Sequence, residues 1–529
     1  MEIAAGCRLR SGPVRHAWWL LAVSISLCTC RREPPAGAPQ RPFGVAVYYD
    51  LTTLDPHVEA TISSSVLYNV YEALVDVDAN LEVRPGLAES WTTPEDLTWI
   101  FRLRPTARFH SGKLLRAADV VYSIERVLRD PDLESGYYLV DVSSVRALNE
   151  HTVEIRTAHP ASNLPNRLSI MPIVPEGSSR DSLATSADGT GPYQVVEWKK
   201  SQSLRLTRHV PYWGRLAPLR DVVFSFNRDP AEIERGLLAG EYQLATLGGG
   251  DAGSRLLASA AHQVLRADSL HVKYLAYDLA RDTTPFCGVR PNPFKDKRVR
   301  EAIDLALDRR RLAAALPGEA APATQVVPRF VFGFDPEILL SGYDPVRAKA
   351  LLREAGLGSG FAVTLHSRAV LAPAAALIRE QLAAVGVAVE VRALGDLEHR
   401  LALDRGDMSF WLSRWGCATG DAGELLENAM HSLHRPQRLG LYNRTGYNSP
   451  ALDRAIEDSR DLVSRIERRS ALQALMRSIT ADRLWLPLYT DQEAYVLDRS
   501  FSWRPRYTAS IRVAEVSVLK PAPRAAAAP

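Results

Sequence analysis

No stretch of this chain is both long enough and apolar enough to span a bilayer as a helix. The one strongly apolar run, residues 17–28 (AWWLLAVSISLC), is too short. Cysteine is scarce, five in 529 residues, so no disulfide framework is spelled out. Charge of one sign is scarce too: 64 Lys and Arg against 61 Asp and Glu leave only +3. No basic stripe interleaved with aromatics appears, which argues against a nucleic-acid ligand. Arg309-Arg310-Arg311 and Arg468-Arg469 read as solvated helix faces. There is no G-x-S-x-G elbow, no H-E-x-x-H and no pair of carboxylates in a recognisable frame. Because triads scatter along a chain, an exported hydrolase stays open as an alternative. His431 and His434 stand one helical turn apart with no third ligand nearby, so no metal is expected. Gly248-Gly249-Gly250 lacks a Rossmann context, and no cofactor is expected either.

What is present begins at the N-terminus. Arg8, Arg10 and Arg15 ahead of the apolar run make the n-region and h-region of a secretory signal, residues 1–29. The run closes in Leu27-Cys28-Thr29-Cys30, which resembles the lipobox of bacterial lipoproteins and implies a lipid on Cys30. Cys28 and Thr29 depart from that pattern, which usually has smaller residues there. Residues 30–40 form a polar tether rich in Pro and Gly. Cleavage before Cys30 would remove Glu2 and those three Arg, leaving the mature chain nearly neutral. Cys287 and Cys417 then remain in the folded body, in a compartment that permits a disulfide.

With 46% hydrophobic residues the body has ample material for a core, and its length implies more than one domain. Phe43–Tyr49 reads as a strand, residues 65–75 as a helix, and residues 297–316 as one long amphipathic helix. From Asp344 onward helices and strands alternate: helix 345–355, strand 361–365, helix 373–385, strand 387–393, helix 396–405. That order predicts an α/β fold of mixed sheets covered by helices. The next strand, Met408–Leu412, stops at Arg414-Trp415-Gly416. Ligands in open α/β sheets sit beyond the carboxyl ends of strands, and Trp beside Gly offers a flat wall with close backbone approach. A core tryptophan next to an ordinary turn is the alternative.

Residues 87–126, Asp188–Trp198, Pro293–Arg309, Tyr343–Gly356, Arg405–Gly416 and Gly446–Leu452 resemble, in order, the peptide- and nickel-type solute-binding proteins of ABC transporters, extracellular solute-binding family 5. The resemblance implies a two-lobed periplasmic-binding-protein clamp with an extra domain on the first lobe. Lobe I would be 41–78, 186–271 and 487–520, the extra domain 79–185, lobe II 272–486, and residues 521–529 a disordered tail. It implies a monomer, lipid-anchored outside the cytoplasm, that captures a small molecule or oligopeptide and delivers it to an inner-membrane ABC permease without chemistry. A transporter-independent sensor on the same fold is a further alternative.

Peptide-binding relatives hold the ligand's α-amino group with an aspartate three residues after the Trp, where this chain has Ala418. Asp421 is the nearest replacement. Some relatives hold the ligand carboxylate with an arginine near the position of Arg368, whose guanidinium fork suits that group. Gly189-Thr190-Gly191 matches a family turn close to the cleft, and Tyr48 and Tyr49 supply a possible stacking wall. Cys417 paired with Cys287 would pin one loop to the other. A cation retained and an anion missing point to an anionic or neutral ligand.

Overall fold

The computed structural model describes residues 41–58, 63–227, 229–247, 254–316 and 318–519. The signal, Cys30, the tether, the triple-glycine stretch and the Ala/Pro tail lie outside them. Two strands dominate the rest: His262–Tyr277 and Trp485–Asp498, antiparallel neighbours at the centre of an eleven-stranded sheet. On one side of this pair lie Phe410–Gly416, Phe361–Arg368 and Val387–Leu394, parallel to one another. On the other lie Leu244–Thr246, Phe43–Val47 and Asp221–Phe226, also parallel, followed by the antiparallel Ser203–Arg208 and Tyr193–Lys199. Ala320–Pro322 adds to Trp485–Asp498. Midway the central ladder slips: Asp268 faces Gln492 but Val272 faces Thr490, so Ser269–His271 oppose Asp491 alone. Extra residues on one strand bend and twist a ladder locally.

Apolar side chains gather into separate cores on either side of that slip. One packs Val45, Tyr71, Phe224 and Leu497. Another fills a four-stranded sheet, Ala88–Glu95, Thr98–Leu103, Thr152–Thr157 and Val142–Asn149, under the helix Ala117–Arg129 with its buried Val120, Ile124 and Val127. Beyond the slip the sheet is covered on both faces: Phe410 and Leu412 pack into one core, Trp411 into the other. Burial on both faces explains the unbroken apolar run in that strand.

Four expectations need correction. The strand does not stop before Arg414; it runs Phe410–Gly416, because Arg414, Trp415 and Gly416 pair with Lys273, Val272 and His271. The helix expected over 297–316 is two, Lys297–Leu305 and Arg309–Ala314, since Asp308 caps the second by accepting from the Arg311 amide at 3.0 Å. Residues 65–75 give a tight 3-10 helix, Ser63–Asn69, and then the strand Val75–Val77. Arg309 and Arg468 are buried, not solvated: Arg309 holds Asp304 at 2.5 Å and the Pro487 carbonyl at 2.6 Å, and Arg468 grips Asp421.

The expected Cys287–Cys417 disulfide is absent; both thiols are free. The sheet keeps them apart. Cys287 bridges to Val363 and packs with the core containing Phe410, while Cys417 belongs to the core containing Trp411, on the opposite face. The Cys417 thiol instead donates to the Asp421 carbonyl at 3.0 Å.

The segments carrying Asp141 and Arg167 meet those carrying Glu427 and Arg460 through buried ions. Arg167 donates to Glu427 at 2.6 Å, Arg460 holds Asp141, and Asp141 lies 3.6 Å from Arg167. All four are at most 6% exposed. Asn166 adds a bond to the Thr419 carbonyl at 3.0 Å. Glu427 is presented by the π turn Leu426–Met430. Such pairs add little net stability over apolar contacts, but breaking one leaves an uncompensated charge.

Two measurements test this arrangement. Arg167→Met is expected to cost about 3–5 kcal/mol of stability, and Arg167→Met with Glu427→Leu less than the sum of the two single changes, read from denaturation midpoints. Alkylation of the native protein should label Cys287, which is half-buried, well before Cys417, and peptide mapping without reductant should find no bond between them.

Candidate functional site

Where the central ladder slips, the sheet opens into two chambers flanking the end of Phe410–Gly416. The smaller, about 280 Å³, is walled by the slip residues Ser269–His271, by Arg414, Gly416 and Ala418, and by Tyr68, Tyr138, Arg506, Tyr507 and Arg512. The larger and more open, about 780 Å³, holds Trp415, Arg368, Tyr137, Tyr274, Asp396 and Tyr442. Alternation along a strand explains the split: Gly416 faces one chamber and Trp415 the other, with Arg414 reaching both.

The slip residues form a small polar device. Ser269 bonds the His271 ring at 3.2 Å and accepts from the His271 amide at 3.1 Å. Burial, with Arg414 and Lys273 nearby, holds the imidazole far below its ordinary pKa, so it is neutral. Gly416 lies against this ring. A Cβ there would come within 2.7 Å of His271 Nε2, so only glycine lets the strand end and the hinge approach this closely. Next to them Lys273 is buried in an ion pair with Asp491.

The smaller chamber has three arginines in its wall and no Asp or Glu. Arg506 is clamped by Glu515 and bonds the Val77 carbonyl at 2.5 Å. Arg512 reaches Asp76 and the Tyr68 carbonyl, both at 3.1 Å. The Arg414 side chain makes no hydrogen bond or ion pair among the described residues. In the larger chamber the Trp415 ring sits edge-on to Tyr442 at 6.0 Å and tilted to Trp485 at 5.8 Å, leaving its indole N–H without a partner among the described residues.

Of the residues singled out in the sequence, Trp415, Gly416, Ala418 and Arg368 line these chambers. Arg368 does so with its fork engaged, Nε to Asp396 at 2.8 Å and Nη2 at 2.5 Å. Asp421 is not free to receive an ammonium group. Arg468 grips both its oxygens, at 2.5 and 2.8 Å, and the Gly423 amide donates to it at 2.8 Å. Against the burial that would raise it, Arg468 holds this carboxyl below the usual range. The turn at Gly189-Thr190-Gly191 lines neither chamber. Cβ atoms on its two glycines would strike the Val70 carbonyl, at 1.9 Å from Gly189 and 2.7 Å from Gly191, so the glycines serve close packing on the Ser63–Asn69 helix. Tyr49 is buried in the first core; Tyr48 packs beside it, its rings edge-on at 5.4 Å, and lines neither chamber. Among the described residues no group of three His, Cys, Asp or Glu could hold a metal ion, and His431 is occupied by Glu457 at 3.2 Å.

Sequence reading missed Ser269, His271, Arg506 and Arg512. The available signal was arginine density in residues 504–512 (RPRYTASIR), a segment that also holds Tyr507 and Ser510. Nothing local tied that segment to residue 414.

No helix among the described residues is long and apolar enough to cross a membrane. A family model described as bacterial extracellular solute-binding proteins, family 5 Middle, matches residues 82–436. The glutathione-binding protein GsiB of Escherichia coli (strain K12) is 26% identical over 471 residues, covering 85% of this chain and 88% of that protein. DppA from Helicobacter pylori, solved with the peptide STSA, is 22% identical with a TM-score of 0.77 over 91% of this chain and 99% of that one. AgaA from A. tumefaciens R10, solved with agropinic acid, is 21% identical with a TM-score of 0.76 over 91% and 99%. The two chambers therefore lie in the fold of a two-lobed binding protein, and the chain belongs to the bacterial extracellular solute-binding proteins, family 5.

Proposed function

We propose that this protein captures a small anionic, peptide-like solute between its lobes and hands it to an ABC permease, acting outside the cytoplasm and held at the membrane by a lipid on Cys30. One observation carries the choice of ligand. The chamber beside the hinge presents arginines and a neutral histidine but no carboxylate, and the methyl of Ala418 stands where peptide-binding relatives place the partner of a ligand ammonium. An ammonium group buried there would lack its counter-ion, which is costly; an oxyanion would not. Trp415 and Gly416 supply the apolar wall and the close backbone approach. Asp421, taken up by Arg468, is not available to rescue amine binding. Ser269 does stand beside the His271 ring at 3.2 Å, but its oxygen also accepts from the His271 amide and no carboxylate in the chamber wall orients the imidazole, which favours binding over catalysis.

The relatives' ligands define a panel: glutathione, agropinic acid and the peptide STSA, with STSA also tested N-acetylated. Calorimetry is expected to show saturable binding of an anionic member, recovered unchanged, with acetylation of STSA causing no loss. At a hundredfold excess over Kd the ligand should add about 2.7 kcal/mol of stability. Binding restricted to peptides with a free amine would reject the anionic reading, and turnover of any member would reject the receptor.

A further inference from the structure

Seven arginines line the two chambers, and four of them already have carboxylates. Arg368 is held by Asp396, Arg444 by Asp404, Arg506 by Glu515 and Arg512 by Asp76. Arg400, Arg414 and Arg438 have none among the described residues, and of these three only Arg414 reaches the smaller chamber. Arg414 is half-buried, its side chain makes no hydrogen bond or ion pair among the described residues, and it is the one described residue that lines both chambers. Its backbone is fixed by pairing with Lys273 at the hinge, so the guanidinium is aimed by the ladder and not by a mobile loop. From these observations we propose that Arg414 is the anchor for the ligand's anionic group, and that Arg368 is a structural partner of Asp396. The proposal rests on reading the cleft as the solute site.

The physical argument is one of compensation. A guanidinium drawn out of water without a partner raises the free energy of the empty protein, and an oxyanion delivered by the ligand removes that cost. The surrounding charges do not supply it internally. Burial, then Arg368, push Arg414 towards the neutral form, while Tyr48, Asp396 and Glu493 oppose this only from beyond ion-pairing distance. Arginine presents parallel donors that match a carboxylate or phosphate in two-point fashion. Its place between the chambers further implies a ligand whose anionic group sits centrally, with one part in the 280 Å³ chamber and another against Trp415. Carboxylate and phosphate share this chemistry, and simple anions separate them.

The test uses acetate, inorganic phosphate and, as the cationic control, methylammonium, each titrated at constant ionic strength against the full mature protein while thermal stability is followed. Wild type should be stabilised saturably by acetate, by phosphate or by both, and not by methylammonium. Arg414→Gln should weaken the anion response by about tenfold or more, the worth of one charge-assisted hydrogen-bonded pair, while the anion-free Tm stays level or rises. Arg414→Lys should keep part of the phosphate response and lose more of the acetate response, because it retains charge without the fork. A fall in Tm for anion-free Arg414→Gln would mark a structural role and overturn the proposal, as would an anion response that this variant keeps. Loss of the response in Arg368→Gln instead would overturn the assignment to Arg414 while leaving the cleft as the solute site. A wild type indifferent to both anions would overturn it as well, and the panel of the preceding section would then show independently whether the cleft binds a solute at all.

Discussion

Everything in this molecule hangs on a pair of antiparallel strands, His262–Tyr277 and Trp485–Asp498, that belong to both lobes at once. Each lobe builds outward from its own half of the pair with parallel strands. The pair is not regular throughout, because its two strands carry unequal numbers of residues across the register shift. The mismatch is taken up where Ser269–His271 face a single residue, Asp491. At that slip backbone groups and polar side chains leave the ladder, and there the cleft forms. Hinge and site are thus one location for a geometric reason: the place where pairing fails is also the place where the strands stop filling the space between the lobes.

Charge is distributed around this point with a consistent logic. Several buried cations elsewhere are matched by a carboxylate, as Arg468 is by Asp421, Arg309 by Asp304 and Arg167 by Glu427, and Arg300 is held by backbone carbonyls. Such pairing keeps the interior free of uncompensated ions. The chamber wall breaks the pattern in a single sense, with cationic groups and neutral imidazole but no acid. A local departure from a rule obeyed by the rest of a fold is the usual mark of a site.

The alternating elements after Asp344, the buried strand around Phe410 and the apolar signal were legible because each carries a strong period or an unbroken apolar run. The first half of His262–Tyr277 was not, since residues 262–271 (HQVLRADSLH) mix polar and apolar without a clean alternation, as expected for a strand covered unevenly on its two faces. Trp415, Gly416 and Ala418 could be placed because they follow one strand. Ser269, His271, Arg506 and Arg512 could not, because their juxtaposition with that strand is made by the fold across more than 90 residues of chain. Arg368 was found by position, yet its engagement with Asp396 depends on a neighbouring helix start that spacing alone does not orient. Cysteine pairing failed for a related reason: sequence gives proximity along the chain but not the face of the sheet.

The buried ions joining the segments of Asp141 and Arg167 to those of Arg460 and Glu427 bear on timing. Asp141 and Arg167 stand on one side, Arg460 and Glu427 on the other, each side carrying both signs in mirrored order. Two approaching surfaces patterned in this way attract in one alignment and repel when shifted. Before contact the attraction acts through water and is screened by salt, whereas after contact the ions are dry and screening is weak. Formation of this seam is therefore expected to be electrostatically guided, with a rate that depends on ionic strength, while its loss requires water to re-enter between buried ions.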